Sequence, residues 1–323
     1  MANITEIAKA AGVSRSTVSR VLNNQPYVIA EKREAVLQAM KQLDYRPNQN
    51  AVHLSRGKTN VIGVMVPQIN HPFFSQLIEG IGIACAERNI SMLIHQTFND
   101  REQEQQSFTQ LRHKQIDGLI IGSSVSPSEV LERVQRDGPV VVCEQRDGNI
   151  AQVSVDHQSG ILAVLSHLVK RGHTSLGLCL GNPASGVGMI RRHTFEAFVH
   201  ENGIRVSPDW YFEENYSFAD GQDVMKRLLK LTDRPTAIIV GNDYVAAGII
   251  HQAKQGGINI PEMLAVTGFD NQAIAEAMRM TTVAQPIERL GKEAVQVLDQ
   301  LAQGKEMPVS QPMPLELIVR ETT

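Results

Sequence analysis

The segment from residue 3 to residue 22 reads NITEIAKAAGVSRSTVSRVL. Its first half spaces apolar residues as one face of a helix does, at Ile4, Ile7, Ala8 and Ala11. Asn3 is a good N-cap for this helix, Gly12 ends it, and Ser14 is a good N-cap for a second helix. That second helix has an apolar side formed by Val18, Val21 and Leu22. Small residues near the turn let two helices cross closely, so the segment predicts a helix-turn-helix.

The other face of the second helix is polar and rich in hydrogen-bond donors. It consists of Arg15, Ser16, Thr17, Ser19 and Arg20. In a major groove, arginine pairs with guanine edges and hydroxyl groups hold phosphates. A surface helical hairpin without a partner is the alternative. The glycine at the turn, the cap after it and the donor-rich second helix favour DNA binding.

Charge is distributed unevenly along the chain, which has 323 residues and a formal net charge of −3. Residues 1–60 contain nine Lys or Arg against four Asp or Glu, whereas the remainder contains 22 against 30. A basic head on an acidic body is typical of proteins that bind DNA through one small domain. Taken alone, this asymmetry is a modest signal.

A third helix and a linker follow the first two helices. Residues 30–43 form an amphipathic pattern whose inward side is predicted to be Val36, Leu37, Met40 and Leu43. The segment Tyr45-Arg-Pro-Asn ends this helix, and we expect a helix-turn-helix domain over residues 1–48. Residues 49–60 are polar and predict a linker, or hinge helix, too short to be a stable helix by itself.

From residue 61 onward, short apolar runs alternate with amphipathic segments. The apolar runs are Val61–Val66, Ser91–His95, Gly118–Ile121, Val140–Cys143, Ser175–Leu180, Ala237–Val240 and Leu264–Thr267. The amphipathic segments are Phe73–Arg88, Gln103–His113, Ser159–Lys170, Ile190–Glu201, Gly221–Leu231 and Tyr244–Gln255. Continuous apolar strands separated by helices indicate a parallel sheet covered on both faces. The pattern predicts an α/β core of two doubly wound parallel-sheet subdomains.

The two subdomains are expected to divide near residue 155. One comprises about 61–155 plus 287–315, and the other about 156–286 plus 316–323. Ligands of such sheets bind at the carboxyl ends of the strands, so we expect a binding cleft between the two subdomains.

The three cysteines are Cys85, Cys143 and Cys179, far apart and in apolar surroundings. This spacing predicts buried free thiols rather than a disulfide framework or a metal site. No charged-then-apolar signal segment opens the chain, and no run of 18 apolar residues occurs, so a cytoplasmic protein without a membrane span is expected.

No motif predicts catalysis or a cofactor. The segment Gly181-Asn-Pro-Ala-Ser-Gly-Val-Gly follows an apolar strand but lacks the Lys-Ser/Thr of a phosphate-binding loop. The ten histidines show no metal-binding spacing, and no nucleophile-elbow sequence is present. We therefore expect a protein that is not an enzyme and that binds neither a metal nor a cofactor.

The chain resembles the lactose/galactose repressor (LacI/GalR) family of bacterial transcription regulators over essentially its whole length. The matching segments are Val13-Ser-Arg-Ser-Thr-Val-Ser-Arg-Val-Leu-Asn, Tyr45-Arg-Pro-Asn, Ile62-Gly-Val, His71-Pro-Phe-Phe, Ile116-Asp-Gly, Gly172-His, Gly241-Asn-Asp, Val266-Thr-Gly-Phe-Asp and Thr281-Thr-Val-Ala-Gln-Pro. The resemblance implies a periplasmic-binding-protein-like core over residues 61–323 that binds an effector and dimerises. No leucine heptads follow the predicted strand Leu315–Val319, so a homodimer is expected rather than a tetramer.

The resemblance implies that the two helix-turn-helix domains of a homodimer bind a near-palindromic double-stranded operator. By position, Arg15 and Ser16 read bases and Arg20 makes a further groove contact. The positions that hold phosphates are Asn3, Thr17, Ser19 and Asn23. Leu54 occupies the position of the leucine that kinks the minor groove, although an ordinary linker anchor is the alternative. Val52 departs from the family by replacing an expected arginine contact.

The family also places a small effector, a sugar or its phosphate, in the cleft. The positions carried over are Asn70, Phe73, Glu144, Arg146, Asp156, Arg191, Tyr216, Asn242 and Asp270. Carboxylates and amides bind adjacent hydroxyls, guanidinium donates in a fork, and an aromatic ring covers a sugar face. Alternatives remain for three of them: Asp270 as a helix cap, Phe73 as a core residue and Arg191 as a surface residue.

The segment Arg191-Arg-His-Thr-Phe lacks a glycine that the family has, and its basic groups leave an anionic effector open. The function implied is a repressor of a carbohydrate-utilisation operon that a sugar or sugar phosphate releases from its operator. A corepressor-dependent regulator is the alternative. A sugar-binding transport protein and a sugar-processing enzyme fit less well, because of the head and of the missing catalytic groups.

Overall fold

The computed structural model describes residues 3–22, 25–45, 57–183, 185–307 and 311–323. It divides into two compact units, Met1–Thr59 and Asn60–Thr323. The division lies at the expected end of the linker. Most of the linker, including Leu54 and Val52, lies outside the described residues, as does Asn23.

The first unit consists of three helices: α1 (Ile4–Ala10), α2 (Arg15–Leu22) and α3 (Ala30–Gln42). Asn3 caps α1 through a capping box with Glu6, and Gly12 adopts a φ of +63° at the turn. Ser14 Oγ accepts a hydrogen bond from the backbone N–H of Thr17 at 3.2 Å, which fixes the start of α2. The helix-turn-helix prediction is confirmed, together with its caps.

The buried face of α3 differs from the sequence prediction. Val36 and Ala39 are buried, whereas Leu37 is 53% exposed and Leu43 is 38% exposed. Leu37 is next to the buried stripe rather than in it, and Leu43 lies beyond the last helical residue. Ala39 faces inward with Val36 and belongs to the small core of this unit.

The second unit begins with a parallel sheet of four strands in the order β2-β1-β3-β4. These strands are β1 (Val61–Val66), β2 (Ser91–Gln96), β3 (Gly118–Ile121) and β4 (Val140–Val142). The helices between and after them are α4 (Pro72–Glu87), α5 (Arg101–Arg112) and α6 (Ser128–Val134). We call this part, with the later helix that covers it, the N-lobe.

The C-lobe contains the second parallel sheet, in the order β6-β5-β7-β8. Its strands are β5 (Leu176–Cys179), β6 (Tyr211–Phe212), β7 (Ala237–Val240) and β8 (Ala265–Thr267). Its helices are α7 (His157–Lys170), α8 (Gly186–Glu201), α9 (Phe218–Lys230), α10 (Asp243–Gln255) and α11 (Ala273–Ala277). The two parallel sheets confirm the predicted fold class.

Three segments cross between the lobes. The first lies near Val155, which bridges to Met313 in the third. The second joins β9 (Thr282–Ala284) to α12 (Ile287–Ala302), and α12 packs into the N-lobe core. The third leads to β10 (Glu316–Ile318), which pairs antiparallel with β9.

The three cysteines are free and buried. No helix of the described residues is long and apolar enough to cross a membrane.

The helices α4 and α12 pack against each other through two glycines. A Cβ atom on Gly80 would overlap the carbonyl oxygen of Glu288, and one on Gly291 would lie 2.5 Å from that of Leu77. These are backbone atoms, so neither helix can yield by a change of rotamer. Gly82, on the same helix, faces only the flexible end of Met92 at 3.3 Å.

We therefore expect Gly80→Ala to lower the free energy of unfolding by about 1–3 kcal/mol, because overpacking forces the two backbones apart. Gly82→Ala is the matched control and should be neutral or stabilising by up to about 1 kcal/mol, since alanine favours the helix. Urea unfolding of the full chain followed by circular dichroism measures both. Equal stabilities for the two variants would contradict the close approach.

Candidate functional site

The face of α2 that carries the hydrogen-bond donors is exposed on the surface of the first unit, as the sequence predicts. Arg15, Ser16, Ser19 and Arg20 are exposed, and Thr17 is half-buried. Ser14 Oγ is 2.8 Å from Ser16 Oγ and 2.9 Å from Thr17 Oγ1, so these hydroxyls are ordered by their own helix cap. Asn3 is exposed, but its Oδ1 already accepts from the N–H groups of Thr5 and Glu6. Only its amide NH₂ therefore remains for another partner.

The second unit contains a cleft of about 930 Å³ between its two lobes. Its lining residues follow the carboxyl ends of β1, β3, β4, β5 and β7, which is where ligands of parallel sheets bind. Seven of the nine effector positions proposed from the sequence line it: Phe73, Glu144, Arg146, Arg191, Tyr216, Asn242 and Asp270.

The structure does not place Asn70 and Asp156 in the lining. Asn70 is exposed in the turn before α4. Asp156 is the N-cap of α7, where its Oδ1 accepts from the N–H of Ser159 at 2.9 Å. At this crossover the two neighbours of Asp156, Val155 and His157, line the cleft. A role of Asp156 in effector binding therefore stays a prediction.

On the N-lobe wall, Glu144 and Arg146 form a buried ion pair with Arg146 Nη2 2.6 Å from Glu144 Oε1. Burial raises the pKa of Glu144, while Arg146 and the hydrogen bonds from Ser124 and Ser123 act to lower it. Arg146 also donates to the backbone oxygens of Ser124 and Ser126. Glu144 Oε2 receives only a long hydrogen bond of 3.4 Å, from Ser123 Oγ, so it has acceptor capacity left for a ligand.

On the C-lobe wall, the Arg191 guanidinium is buried over the ring of Phe269, 3.8 Å from its centroid. It donates to the carbonyl of Gly241 at 2.8 Å and to His157 Nδ1 at 3.3 Å. Burial, with the charge of Arg191 second, lowers the pKa of His157 well below its ordinary value, so this ring is neutral. Burial also lowers the pKa of Arg191, to about 10, which still leaves it charged.

Tyr216 and Asn242 lie beside this wall. The Tyr216 hydroxyl donates to Glu214 Oε2 at 2.6 Å, and burial raises the pKa of this tyrosine. Asn242 caps α10 by accepting from the N–H of Val245 at 2.8 Å. Its side-chain oxygen is therefore used in the fold, and its amide NH₂, at 3.5 Å from the Tyr216 carbonyl, is the group that remains for a ligand.

Two buried carboxyl groups, Asp270 and Asp243, lie near each other at the base of the C-lobe wall. Asp270 accepts from Gln285 Nε2 at 2.6 Å and has a φ of +107°. Asp243 accepts from Thr282 Oγ1 and from the N–H of Gln272, each at 2.6 Å. Burial and then the Asp243 charge raise the pKa of Asp270 well above its ordinary value. Burial raises the pKa of Asp243 to about 7.

Three buried polar atoms that border the cleft have no hydrogen-bond partner among the described residues. They are His71 Nδ1, Arg191 Nε and Gln285 Oε1. Burial lowers the pKa of His71 to about 4, so its ring is neutral. Unpaired buried polar atoms cost about 1–3 kcal/mol each, so a ligand that pairs with them is favoured. His71, His157 and Gln285 were missed from the sequence, although His71 and Gln285 lie within matched family segments and His157 follows the proposed Asp156.

The basic group next to Arg191 does not contribute to the cleft. Arg192 is outside the lining and pairs with Glu196 at 2.8 Å and Glu213 at 2.5 Å. His193 is exposed at the rim. No group of three or more His, Cys, Asp or Glu residues in the described part of the chain is arranged to hold a metal ion.

The acid pair predicts how stability depends on pH. The pKa of Asp243 is about 7 in the folded chain and has an ordinary value of 3.8. The folded chain therefore binds a proton at Asp243 more tightly than the unfolded chain does. The free energy of unfolding should for this reason fall as the pH rises from about 4 through 7. Asp243→Asn should make this decline shallower, because it removes the buried charge and its repulsion of Asp270.

Urea unfolding monitored at the single, buried Trp210 measures this pH dependence in the C-lobe. Asp223→Asn, a surface change, is the control and should keep the original slope. An Asp243→Asn variant with an unchanged slope would contradict the raised pKa.

Two family models match the chain. One, described as bacterial regulatory proteins of the lacI family, matches residues 3–48. The other, a periplasmic binding protein-like domain, matches residues 165–323. The first agrees with the helix-turn-helix unit, and the second covers most of the C-lobe and the last crossovers.

The chain is 37% identical to the NTD biosynthesis operon regulator NtdR of Bacillus subtilis (strain 168), covering 100% of both chains. Its structure is similar to that of the lac repressor dimer bound to operator and the anti-inducer ONPF. That match has a TM-score of 0.87 and 26% identity, and covers 100% of this chain and 99% of the other.

A LacI family regulator from Lactobacillus casei with bound glucose matches with a TM-score of 0.74 and 28% identity, covering 81% of this chain and 99% of that one. The resemblance drawn from the sequence motifs is confirmed by these full-length similarities, and the chain belongs to the lacI family of bacterial regulatory proteins.

Proposed function

We propose that this chain is a DNA-binding transcription regulator, a repressor that leaves its operator when a small uncharged polyhydroxyl compound, such as a sugar, binds in the cleft. The observation that carries the proposal is the combination in one chain of a donor-rich helix-turn-helix with a two-lobed core whose cleft contains several polar side chains. The same combination predicts that the chain binds and does not transform its ligand.

For the DNA side, Arg15 and Ser16 are proposed to read base edges, with Arg20 as a further groove contact. Their exposure on α2 supports this assignment. Phosphate contacts are assigned to Asn3, Thr17, Ser19 and Asn23, and the minor-groove wedge to Leu54. The solved lac repressor is a dimer on its operator, and we propose that this chain is likewise a homodimer on a near-palindromic site.

For the ligand side, the ion pair on the N-lobe wall favours an uncharged compound over a sugar phosphate. Arg146 is paired with Glu144, Arg191 lies near Asp270, and Arg192 faces two carboxylates outside the cleft. Arg146 and Arg192 are therefore neutralised by carboxylates, whereas Arg191 is held by the Gly241 carbonyl and the Phe269 ring beside an Asp270 whose pKa is raised. Glu144 Oε2, Asp270 and the unpaired atoms of His71, Arg191 and Gln285 provide acceptors and donors for several hydroxyls.

The proposed mechanism is a two-state change of the lobes about the three crossover segments. In this proposal the chain consists of a DNA-binding domain (1–48), a linker (49–60) and an effector-binding core (61–323). A ligand that binds one arrangement of the lobes more tightly shifts the equilibrium towards that arrangement. The two linkers of the dimer then separate on the DNA. Because coupling between two sites is reciprocal, operator binding must weaken ligand binding by the same factor.

The experiment that tests the function is fluorescence anisotropy of a labelled palindromic operator library, with and without a panel of sugars and sugar phosphates. Release by an uncharged sugar supports the proposal. Tighter DNA binding with a compound would assign a corepressor instead, and chemical conversion of a bound sugar would indicate an enzyme. Absence of sequence-selective binding under all conditions would contradict the central claim.

Replacing Arg15 tests base reading. Arg15→Ala should lose discrimination among operator sequences by about 1–3 kcal/mol at one base pair, with effector binding unchanged. Lys41→Ala, which removes an equal charge from the end of α3, is the control and should at most weaken binding to all sequences alike. If Arg15→Ala keeps the base preference of the unsubstituted chain, the assignment is wrong.

Replacing Asp270 tests the effector site. Asp270→Asn should abolish effector-induced release and preserve operator affinity, because it removes an acceptor from the cleft while asparagine tolerates the positive φ. Asp156→Asn makes the same chemical change at a residue outside the lining, where asparagine still caps α7. Both variants are measured by sugar titration of operator complexes. A normal response from Asp270→Asn would assign this side chain to structure alone.

A further inference from the structure

Glu104 has a fully buried carboxylate on α5 and lies outside the residues that line the cleft. It accepts three hydrogen bonds from the loop after β3. The donors are Ser124 Oγ at 2.8 Å, the Val125 N–H at 2.8 Å and Ser126 Oγ at 2.5 Å. All three are uncharged, and no Lys or Arg in the described part of the chain forms an ion pair with Glu104. A buried carboxylate without a cation is costly unless it is fully hydrogen-bonded, so the loop folds around it.

The other side of the same loop binds the ion pair of the N-lobe wall. Arg146 donates from Nη1 to the Ser126 carbonyl at 3.0 Å and from Nη2 to the Ser124 carbonyl. Its Nε and Nη2 donate to Glu144 Oε1, which also accepts from the N–H of Ser124 at 3.2 Å. Four of the five guanidinium N–H groups are thus used inside the protein.

We infer that Glu104 is a positioning residue of the ligand cleft, and this inference rests on the proposed function. Through Ser124 and Ser126, Glu104 fixes the loop whose carbonyls hold Arg146 against Glu144. The guanidinium is thereby withheld from the ligand, and Glu144 Oε2 is presented to it. Glu104 thus sets the preference of the cleft for hydroxyl groups over anions without touching the ligand.

The contacts define an ordered set of substitutions. Glu104→Ala removes all three hydrogen bonds, and Glu104→Asp retracts the carboxylate by one methylene. Glu104→Gln conserves the geometry, because the amide oxygen accepts from the Val125 N–H and the NH₂ donates to serine hydroxyl oxygens. Glu102→Ala, an exposed change on the same helix, is the matched control.

The first measurement needs no ligand. The full chain is treated with phenylglyoxal, and modification of each arginine is mapped by mass spectrometry. In Glu104→Ala, modification of Arg146 should accelerate at least about tenfold, the factor that loss of one hydrogen bond to a charged group corresponds to. Glu104→Asp should give an intermediate rate. Glu104→Gln and Glu102→Ala should match the unsubstituted chain.

Arg191, buried on the C-lobe wall, and Arg289, exposed on α12, are internal references. Both should keep their rates in every variant. An unchanged Arg146 rate in both Glu104→Ala and Glu104→Asp would overturn the inference. A parallel rise at Arg191 would also overturn it, because it would indicate general loosening of the core. If Glu104→Ala does not fold, Glu104→Asp and Glu104→Gln still decide between these outcomes.

The second measurement is calorimetric titration with D-glucose and with D-glucose 6-phosphate. Relative to the unsubstituted chain, Glu104→Ala should shift the ratio of the two affinities towards the phosphate, whereas Glu104→Gln should not. An unshifted ratio beside a faster Arg146 reaction would overturn the role in ligand selection. If the unsubstituted chain binds neither compound, D-glucose is excluded as its ligand, and the arginine labelling alone decides whether Glu104 positions Arg146.

Discussion

Parallel pairing brings the carboxyl ends of all strands in a sheet to one edge, and the functional surface of the core depends on this constraint. Each lobe has four strands in such a sheet, and the polar groups of the cleft lie on the loops that follow them. Glu144 follows β4, Asn242 follows β7, and Asp270 comes soon after β8. Side chains far apart in the chain therefore meet in one cavity because of topology, before any specific contact is considered.

The charged groups that line the cleft have partners within the protein. Arg146 and Glu144 neutralise each other on the N-lobe, and on the C-lobe the Arg191 guanidinium stacks on Phe269 and donates to the Gly241 carbonyl. Burying an unpaired charge is much more costly than burying a pair, so this balance stabilises an open polar cavity. A ligand that brings hydrogen-bonding groups and no net charge leaves the balance intact.

The sequence predicts long, repeated patterns well and single side chains less well. Apolar runs gave the strands of both sheets to within about a residue, but β6 and α6 are too short to show a period. The amphipathic helix α12 was not predicted, although its buried residues repeat at the spacing of one helix face. Seven of the nine positions taken from the family line the cleft, whereas Asp156 caps α7 and its neighbour His157 lines the cleft, because a cap and a cleft position differ here by one residue. The sequence alone does not single out Glu104, because its hydrogen-bond partners are distant in the chain.

The contact of α4 with α12 limits how the lobes can move. Gly80 and Gly291 bring the two backbones into close contact, and sliding would move residues with side chains into these positions. We therefore expect little shear between these helices, so that α12 moves together with the N-lobe. Rotation is left to the dihedral angles of the short crossover segments, around Gln285 and Pro286 and near Val155. We therefore expect the lobes to move by hinge bending, with the cleft residue Gln285 in one of the hinge segments.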